Sequence, residues 1–196
     1  MRDWNDVRRW RKEQRARLID ERRALPLAAR QQRGEAIAAR AAELDALNGA
    51  PCCVGFYWPI RGEPDLRPLV RSLLERGFTS ALPVVVEKNA PVEFHRYTTS
   101  TRLTRQSVWG IPIPAEQDRV QPDVVLVPLV GMDDDCYRLG YGGGYYDRTL
   151  ASLSPRPFAI GVGFELGRLD TIYPQPHDIP MDVLVTEERV LEREPA

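Results

Sequence analysis

From Asp3 to about Arg23 the chain interleaves apolar, basic and acidic positions without one Gly or Pro. Pro26 then interrupts, and helix formers resume from about Leu27 to Leu47, so two N-terminal helices are predicted. Beyond them the pattern changes. Cys52–Trp58 is a short apolar run stopped by Pro59, Asp65–Arg76 has helical spacing closed by Gly77, and Thr79–Val86 is a second apolar run. This is a β-α-β rhythm. Val92–Tyr97 predicts a further strand, and the polar stretch 98–121, broken by Pro112 and Pro114, predicts a long loop of the kind that carries function. Val124–Val130 is continuously apolar, as a strand covered on both faces must be. After a glycine cluster come a short helix (Tyr145–Leu153) and strands at Phe158–Phe164 and Asp182–Thr186, the last closing the series. The alternation predicts an α/β fold: a single domain over residues 1–196 with a central, mainly parallel sheet flanked by helices, the N-terminal helices packed on it. Ligands of such sheets bind at the carboxyl ends of the strands, and the glycine cluster follows such an end.

Composition narrows the class of protein. Hydrophobic residues at 43% and charged residues at 28% are ordinary for folded soluble domains, which argues against disorder. No apolar run approaches the roughly 20 residues of a membrane span, and the first thirty residues lack the form of a signal peptide. Cys52 and Cys53 are adjacent, too strained for an ordinary bridge, and Cys136 leaves an odd count with no metal-binding spacing. A reducing, cytoplasmic setting without structural zinc is expected. The formal charge of −1 hides an asymmetry, since residues 1–40 carry twelve Arg or Lys against six Asp or Glu. Such an arm can bind an anionic ligand or nucleic acid, or form a solvated helical face.

The chemistry concentrates in RLGYGGGYYDR, residues 138–148. Gly140, Gly142, Gly143 and Gly144 cost chain entropy that a close backbone approach to a ligand explains. Inward N–H groups, with the positive end of the following helix, would make a phosphate cradle; the alternative is a structural turn. Neither GxxxxGK[ST] nor GxGxxG fits. Arg138 and Arg148 flank the loop and can pair with phosphate oxygens, while Asp147 can cap the helix or hold a magnesium ion. His95 and His177 are read as structural.

The longer run VPLVGMDDDCYRLGYGGGYYDR resembles the signature of the 5-formyltetrahydrofolate cyclo-ligase family. Further landmarks of that family stand in order: Arg11 and Arg15 on the first helix, Glu63 in YWPIRGEPDL, SVWGIPIP around Trp109, and HDIPMDVLVTE near the end. The resemblance implies an ATP- and Mg²⁺-dependent enzyme that converts a reduced folate, 5-formyltetrahydrofolate, to its 5,10-methenyl form with release of ADP and phosphate. Phosphorylating the formyl oxygen would create the leaving group. No enzyme nucleophile is then required, which suits a chain rich in glycine and arginine at its loop and poor in histidine.

By similarity, Arg11 and Arg15 face the ATP phosphates, and Arg138, Gly140, Tyr141, Gly142, Gly143, Gly144, Tyr145, Tyr146 and Asp147 form the ATP loop. Asp147 would lie near magnesium and would act with Arg148 in catalysis. Glu63 matches an acid that accepts hydrogen bonds from the pterin, with Tyr57, Trp58 and Trp109 as stacking surfaces or, alternatively, core. Asp133 also matches a family acid, whereas Asp134 and Asp135 read as solvated. The chain departs from the pattern at Cys136, where Gly is usual, at Ile113, where an acid or amide is common, at Gly167, where Gln is frequent, and at Gly143, a Lys in some members. A monomer acting on a small molecule, with no membrane or nucleic-acid partner, is expected. The rivals are a non-catalytic relative that binds nucleotide or RNA through the same loop and arm, and a sugar-phosphate isomerase-like enzyme.

Overall fold

The computed structural model describes residues 3–107 and 109–194, and the alternation of the sequence becomes one eight-stranded sheet. Helix α1 (Trp4–Ala24) ends because Leu25, ahead of Pro26, takes an extended backbone (φ −59°, ψ 135°). Helix α2 (Leu27–Ala42) follows at once. Leu44, again extended, separates it from the single turn α3 (Asp45–Asn48), so the second helix expected to run to Leu47 is divided, and Leu47 turns fully into the core.

Strand β1 (Cys53–Gly55) is shorter than its apolar run, and helix α4 (Arg67–Glu75), β2 (Thr79–Val84) and β3 (Glu93–Tyr97) succeed it. Stretch 98–121 is not the plain loop expected. It holds three two-residue strands: β4 (Leu103–Thr104) pairs with β5 (Ile113–Pro114), and β6 (Arg119–Val120) adds to β3. Val108, within the SVWGIPIP landmark, lies outside the described residues. Strand β7 (Val124–Pro128) leads to the hairpin β8 (Gly131–Met132) and β9 (Arg138–Leu139). Helix α5 (Tyr145–Ser152), β10 (Phe158–Val162), β11 (Val183–Val185) and β12 (Val190–Glu192) complete the chain.

The sheet order is β12-β11-β10-β7-β1-β2-β3-β6. The five strands from β11 to β2 are parallel, and antiparallel pairing takes over at both margins. Every residue of β7 is buried. Val124 and Leu126 pack with Ile37 of α2 and Leu69 and Leu73 of α4, whereas Val125 and Val127 pack with Leu150 of α5. Helices thus cover both faces, which is why the run had to be apolar without alternation. Helix α2 packs on the sheet as expected; α1 instead lies against β8 and the 3-10 turn Glu165–Gly167, segments that leave the carboxyl ends of β7 and β10. From β1 the chain goes to β2 on one side, and it later returns to lay β7 on the other. The carboxyl ends of β1 and β7 therefore bound a topological switch point, the crevice where open α/β sheets take ligands.

Candidate active site

Two segments meet at that crevice. The chain leaving β1 runs through Tyr57 and Trp58 to Glu63, and the chain leaving β7 passes through the β8–β9 hairpin into the glycine loop. A hydroxyl links them: Tyr141 donates to Glu63 Oε1 at 2.7 Å, while the Ile60 N–H donates to Oε2 at 2.8 Å. Glu63 is buried, and that burial raises its carboxyl above the ordinary value, opposed by those two hydrogen bonds and by the charges of Arg22 and Arg61. Burial likewise raises the Tyr141 phenol, with the Glu63 charge adding to it. Arg22 of α1, not singled out in the sequence, is also buried. Its Nη2 donates to Tyr141 Oη at 2.6 Å, its Nε to the Arg61 carbonyl at 3.1 Å and its Nη1 to the Leu129 carbonyl at 3.2 Å.

The glycine loop turns twice through the left-handed region, at Gly142 (φ 93°) and at Gly144 (φ 62°), the latter forming the N-cap of α5. The N–H groups of Gly142, Gly143 and Gly144 have no protein acceptor among the described residues. Three arginines surround the loop. Arg15 Nε donates to the Gly140 carbonyl at 2.7 Å, and a Cβ on Gly142 would lie 3.4 Å from the Arg15 guanidinium carbon. Burial, with Arg11 nearby, lowers the Arg15 guanidinium from its usual value, and Asp178 opposes this. Arg148 donates to the Gly143 carbonyl, and Arg138 Nη2 pairs with Asp147 Oδ2 at 2.8 Å. The Nε atoms of Arg138 and Arg148 are buried with no hydrogen-bond partner among the described residues. A tight loop of free N–H groups ringed by cations is built for an oxyanion.

Asp147 does not cap α5: no side chain caps that helix, and Asp147 Oδ1 accepts instead from the Ile179 N–H at 3.2 Å. Among the described residues no group of three or more His, Cys, Asp or Glu side chains could hold a metal. One carboxylate beside a phosphate cradle suits magnesium, which is commonly held by one or two carboxylates together with substrate phosphates. The residues would fit a metal that arrives with a phosphorylated ligand; among the described residues such side chains form no all-protein cage.

The aromatic residues divide. Of the two readings of Tyr57, stacking surface or core, the structure supports the core: it is buried and its hydroxyl donates to the Pro64 carbonyl at 2.7 Å. Trp58 is half-buried, with the Arg67 guanidinium 4.7 Å from its ring. Trp109 is 56% exposed and meets Tyr145 edge-on, with ring centroids 5.2 Å apart, beside the Arg148 guanidinium 5.2 Å from the same Tyr145 ring. Tyr146 lies under Arg138 at 5.6 Å.

Arg11 is not free to reach outward. It is 6% exposed and donates to the Ile172 and Tyr173 carbonyls at 2.9 and 3.0 Å and to Asp178 Oδ2 at 2.5 Å. Its partner α1 arginine, Arg15, lies on the loop itself. Asp133 is similarly internal, accepting from the Tyr137 and Ile172 N–H groups at 3.0 and 2.9 Å. Two departures in sequence have structural correlates. Cys136 takes φ 63°, the region that glycine adopts freely, and is fully buried, which pushes its thiol up to about 11. At Gly167 a Cβ would stand 2.8 Å from the Val130 carbonyl, so a larger side chain needs the backbone to move. His95 is buried in β3 beside Glu93, and His177 is exposed against Trp4.

A switch-point crevice that brings a glycine-and-arginine loop against a buried carboxylate is a ligand site of the α/β enzyme class. The profile of the 5-formyltetrahydrofolate cyclo-ligase family matches residues 7–187. The chain belongs to that family. It is 32% identical to the 5-formyltetrahydrofolate cyclo-ligase of Mycolicibacterium smegmatis, covering 89% of this chain and 92% of that one. It is 29% identical to the Escherichia coli K12 enzyme of the same name, over 71% and 80% of the two chains. The solution structure of Aquifex aeolicus 5,10-methenyltetrahydrofolate synthetase superposes with a TM-score of 0.81 at 31% identity, covering 95% of this chain and 94% of that one. No helix among the described residues is long and apolar enough to cross a membrane.

Proposed function

We propose that the protein cyclises 5-formyltetrahydrofolate to 5,10-methenyltetrahydrofolate, using ATP with magnesium and releasing ADP and phosphate. The observation that carries this reading is the Tyr141–Glu63 hydrogen bond, which joins the oxyanion cradle to a buried acid across the switch point. An N-formyl group is amide-like and a poor electrophile. Transfer of the γ-phosphoryl group to the formyl oxygen turns that oxygen into a leaving group; the second folate nitrogen then attacks the formyl carbon, its N–H proton is lost to solvent, and phosphate departs as the ring closes. Phosphoryl transfer asks the protein for positioning and charge neutralisation. The N–H groups of Gly142, Gly143 and Gly144 with Arg15, Arg138 and Arg148 supply that. Asp147, beside the loop, would help hold magnesium, which when bound would neutralise phosphate charge. Glu63, with one lone pair on each oxygen still open, accepts from N–H groups of the pterin, and exposed Trp109 offers its flat ring.

The reading in which a basic arm binds RNA loses support, because Arg11 and Arg22 of that arm are buried in internal hydrogen bonds. Mixing the protein with 5-formyltetrahydrofolate, ATP and magnesium should give the ultraviolet absorbance of the methenyl product only when nucleotide and metal are both present. Product without ATP, or no product while ATP still binds, would overturn the assignment.

A further inference from the structure

We propose that Arg22 and Tyr141 are positioning residues for the folate, acting through Glu63 by fixing the direction of its hydrogen bonds; the inference rests on the assignment of Glu63 to the folate site. The polarity of the chain Arg22–Tyr141–Glu63 follows from the donor inventory alone. A guanidinium only donates, so the 2.6 Å contact from Arg22 Nη2 makes Tyr141 Oη the acceptor there. The phenol has one proton, and it goes to Glu63 Oε1 at 2.7 Å. The Ile60 N–H occupies a lone pair of Oε2 at 2.8 Å. Both protein contacts therefore arrive at Glu63 as donors, which suits a carboxylate and leaves it acceptor-only toward a ligand. What it selects is a ligand edge presenting N–H donors.

Arg22 is itself immobilised. At 3% exposure it bonds the Arg61 carbonyl, two residues before Glu63, and the Leu129 carbonyl, just after β7. Both strand exits that form the crevice are thus tied to one guanidinium. Arg61 lies 5.4 Å from the Tyr141 ring and Arg22 5.9 Å, so the phenol is flanked by two cations that favour the charged form of its acceptor. An apolar residue at position 22 would satisfy none of these carbonyls. A plain structural brace, however, would serve equally well without the phenol, and the phenol is what links Arg22 to the acid.

The test is a double-mutant cycle on the full-length protein, with Glu63→Gln, Tyr141→Phe, Arg22→Gln and the pairwise combinations with Glu63→Gln. Melting curves verify that each variant is folded. Steady-state kinetics and direct titration of 5-formyltetrahydrofolate, followed by tryptophan fluorescence, are measured for each. Tyr141→Phe and Arg22→Gln should each weaken folate, in KM and in Kd, by roughly tenfold or more. The KM for ATP should move less than about threefold, and combining either change with Glu63→Gln should add almost nothing to Glu63→Gln alone. Arg22→Lys should recover part of the loss. Multiplying effects in the double variants, or an unchanged folate constant in Tyr141→Phe, overturn the proposal. If Arg22→Gln does not fold, Tyr141→Phe, which removes one oxygen, decides. Should the parent bind the folate without turning it over, the binding cycle still reads the relay while the proposed reaction fails. A Glu63→Gln variant with parental folate affinity would remove Glu63 from the site and the relay with it.

Discussion

Glu63 stands between two opposed effects. Burial disfavours its charge, and the Tyr141 hydroxyl, the Ile60 N–H and nearby arginines favour it, with burial the largest. Its pKa in the folded protein is raised above 4.5. The folded state therefore holds this proton more tightly than the unfolded chain does. The associated stability is fully present below about pH 4.5 and is lost as the pH rises through the folded value. Glu63→Gln does not titrate, so the melting temperature of the variant minus that of the parent should rise with pH above about 4.5 and then level off, whatever the offset at acid pH. Melts at half-unit steps from pH 4.5 to 8 check this. A flat or falling difference would mean that the native site stabilises the charge fully. Single residues were also where the sequence was least legible. Glu63 stands out in the sequence through its surrounding motif, but Arg22 is one basic residue among many, and burial of an arginine depends on carbonyls brought from residues 61 and 129. No local pattern records that.

Helix α1 shows the same limit one level up. Its buried stripe is Val7, Arg11, Leu18 and Arg22, so half of the face turned inward is cationic and held by hydrogen bonds. A search for apolar periodicity reads such a face as solvated. Strand β7 was legible for the opposite reason, being covered on both sides, while β12, an exposed edge ending in Glu192, gave no alternation to find. The glycine loop was legible because its glycines meet a backbone demand. Gly142 sits at φ 93°, and a Cβ there would lie 3.4 Å from the Arg15 guanidinium carbon. Gly142→Ala should lose about 1–2 kcal/mol from the left-handed conformation, or roughly 2–8 °C in Tm. Because the added methyl crowds Arg15 and the loop N–H groups, the KM for ATP should rise several-fold and that for the folate much less. Calorimetry and two-substrate kinetics measure the two effects separately, and equal effects on both substrates would argue that the loop serves the whole crevice.

For the molecule as a whole, the β-α-β rhythm led to the sheet, and the sheet's switch point led to the crevice. What the rhythm could not supply is how α1, outside the sheet, is fastened over that end. The fastening is Arg11. Its guanidinium grips the Ile172 and Tyr173 carbonyls and the Asp178 carboxylate, and Trp10 packs edge-on against Tyr173 at 4.9 Å. The same proline-rich segment touches the site where the Ile179 N–H meets Asp147. Arg11 and Arg15, one helical turn apart and paired in the family resemblance, therefore stand in different surroundings. Removing one partner of a buried ion pair strands the other, at about 3–5 kcal/mol. Arg11→Ala should accordingly lower the melting temperature by on the order of 10 °C. Arg15→Ala gives up one contact to the Gly140 carbonyl from a half-buried position, so it should melt within about 3 °C of the parent while binding ATP roughly tenfold more weakly or worse. Asp178→Asn separates charge from shape, since it keeps an acceptor for Arg11 and should fall between the two in stability. Melting curves without ligand and ATP–magnesium titrations well below each variant's transition decide the matter. If Arg11→Ala melted like the parent yet bound ATP poorly, Arg11 would swing out to the phosphates in solution, and the fastening of α1 would have to come from its other contacts, among them buried Val7, Leu18 and Arg22.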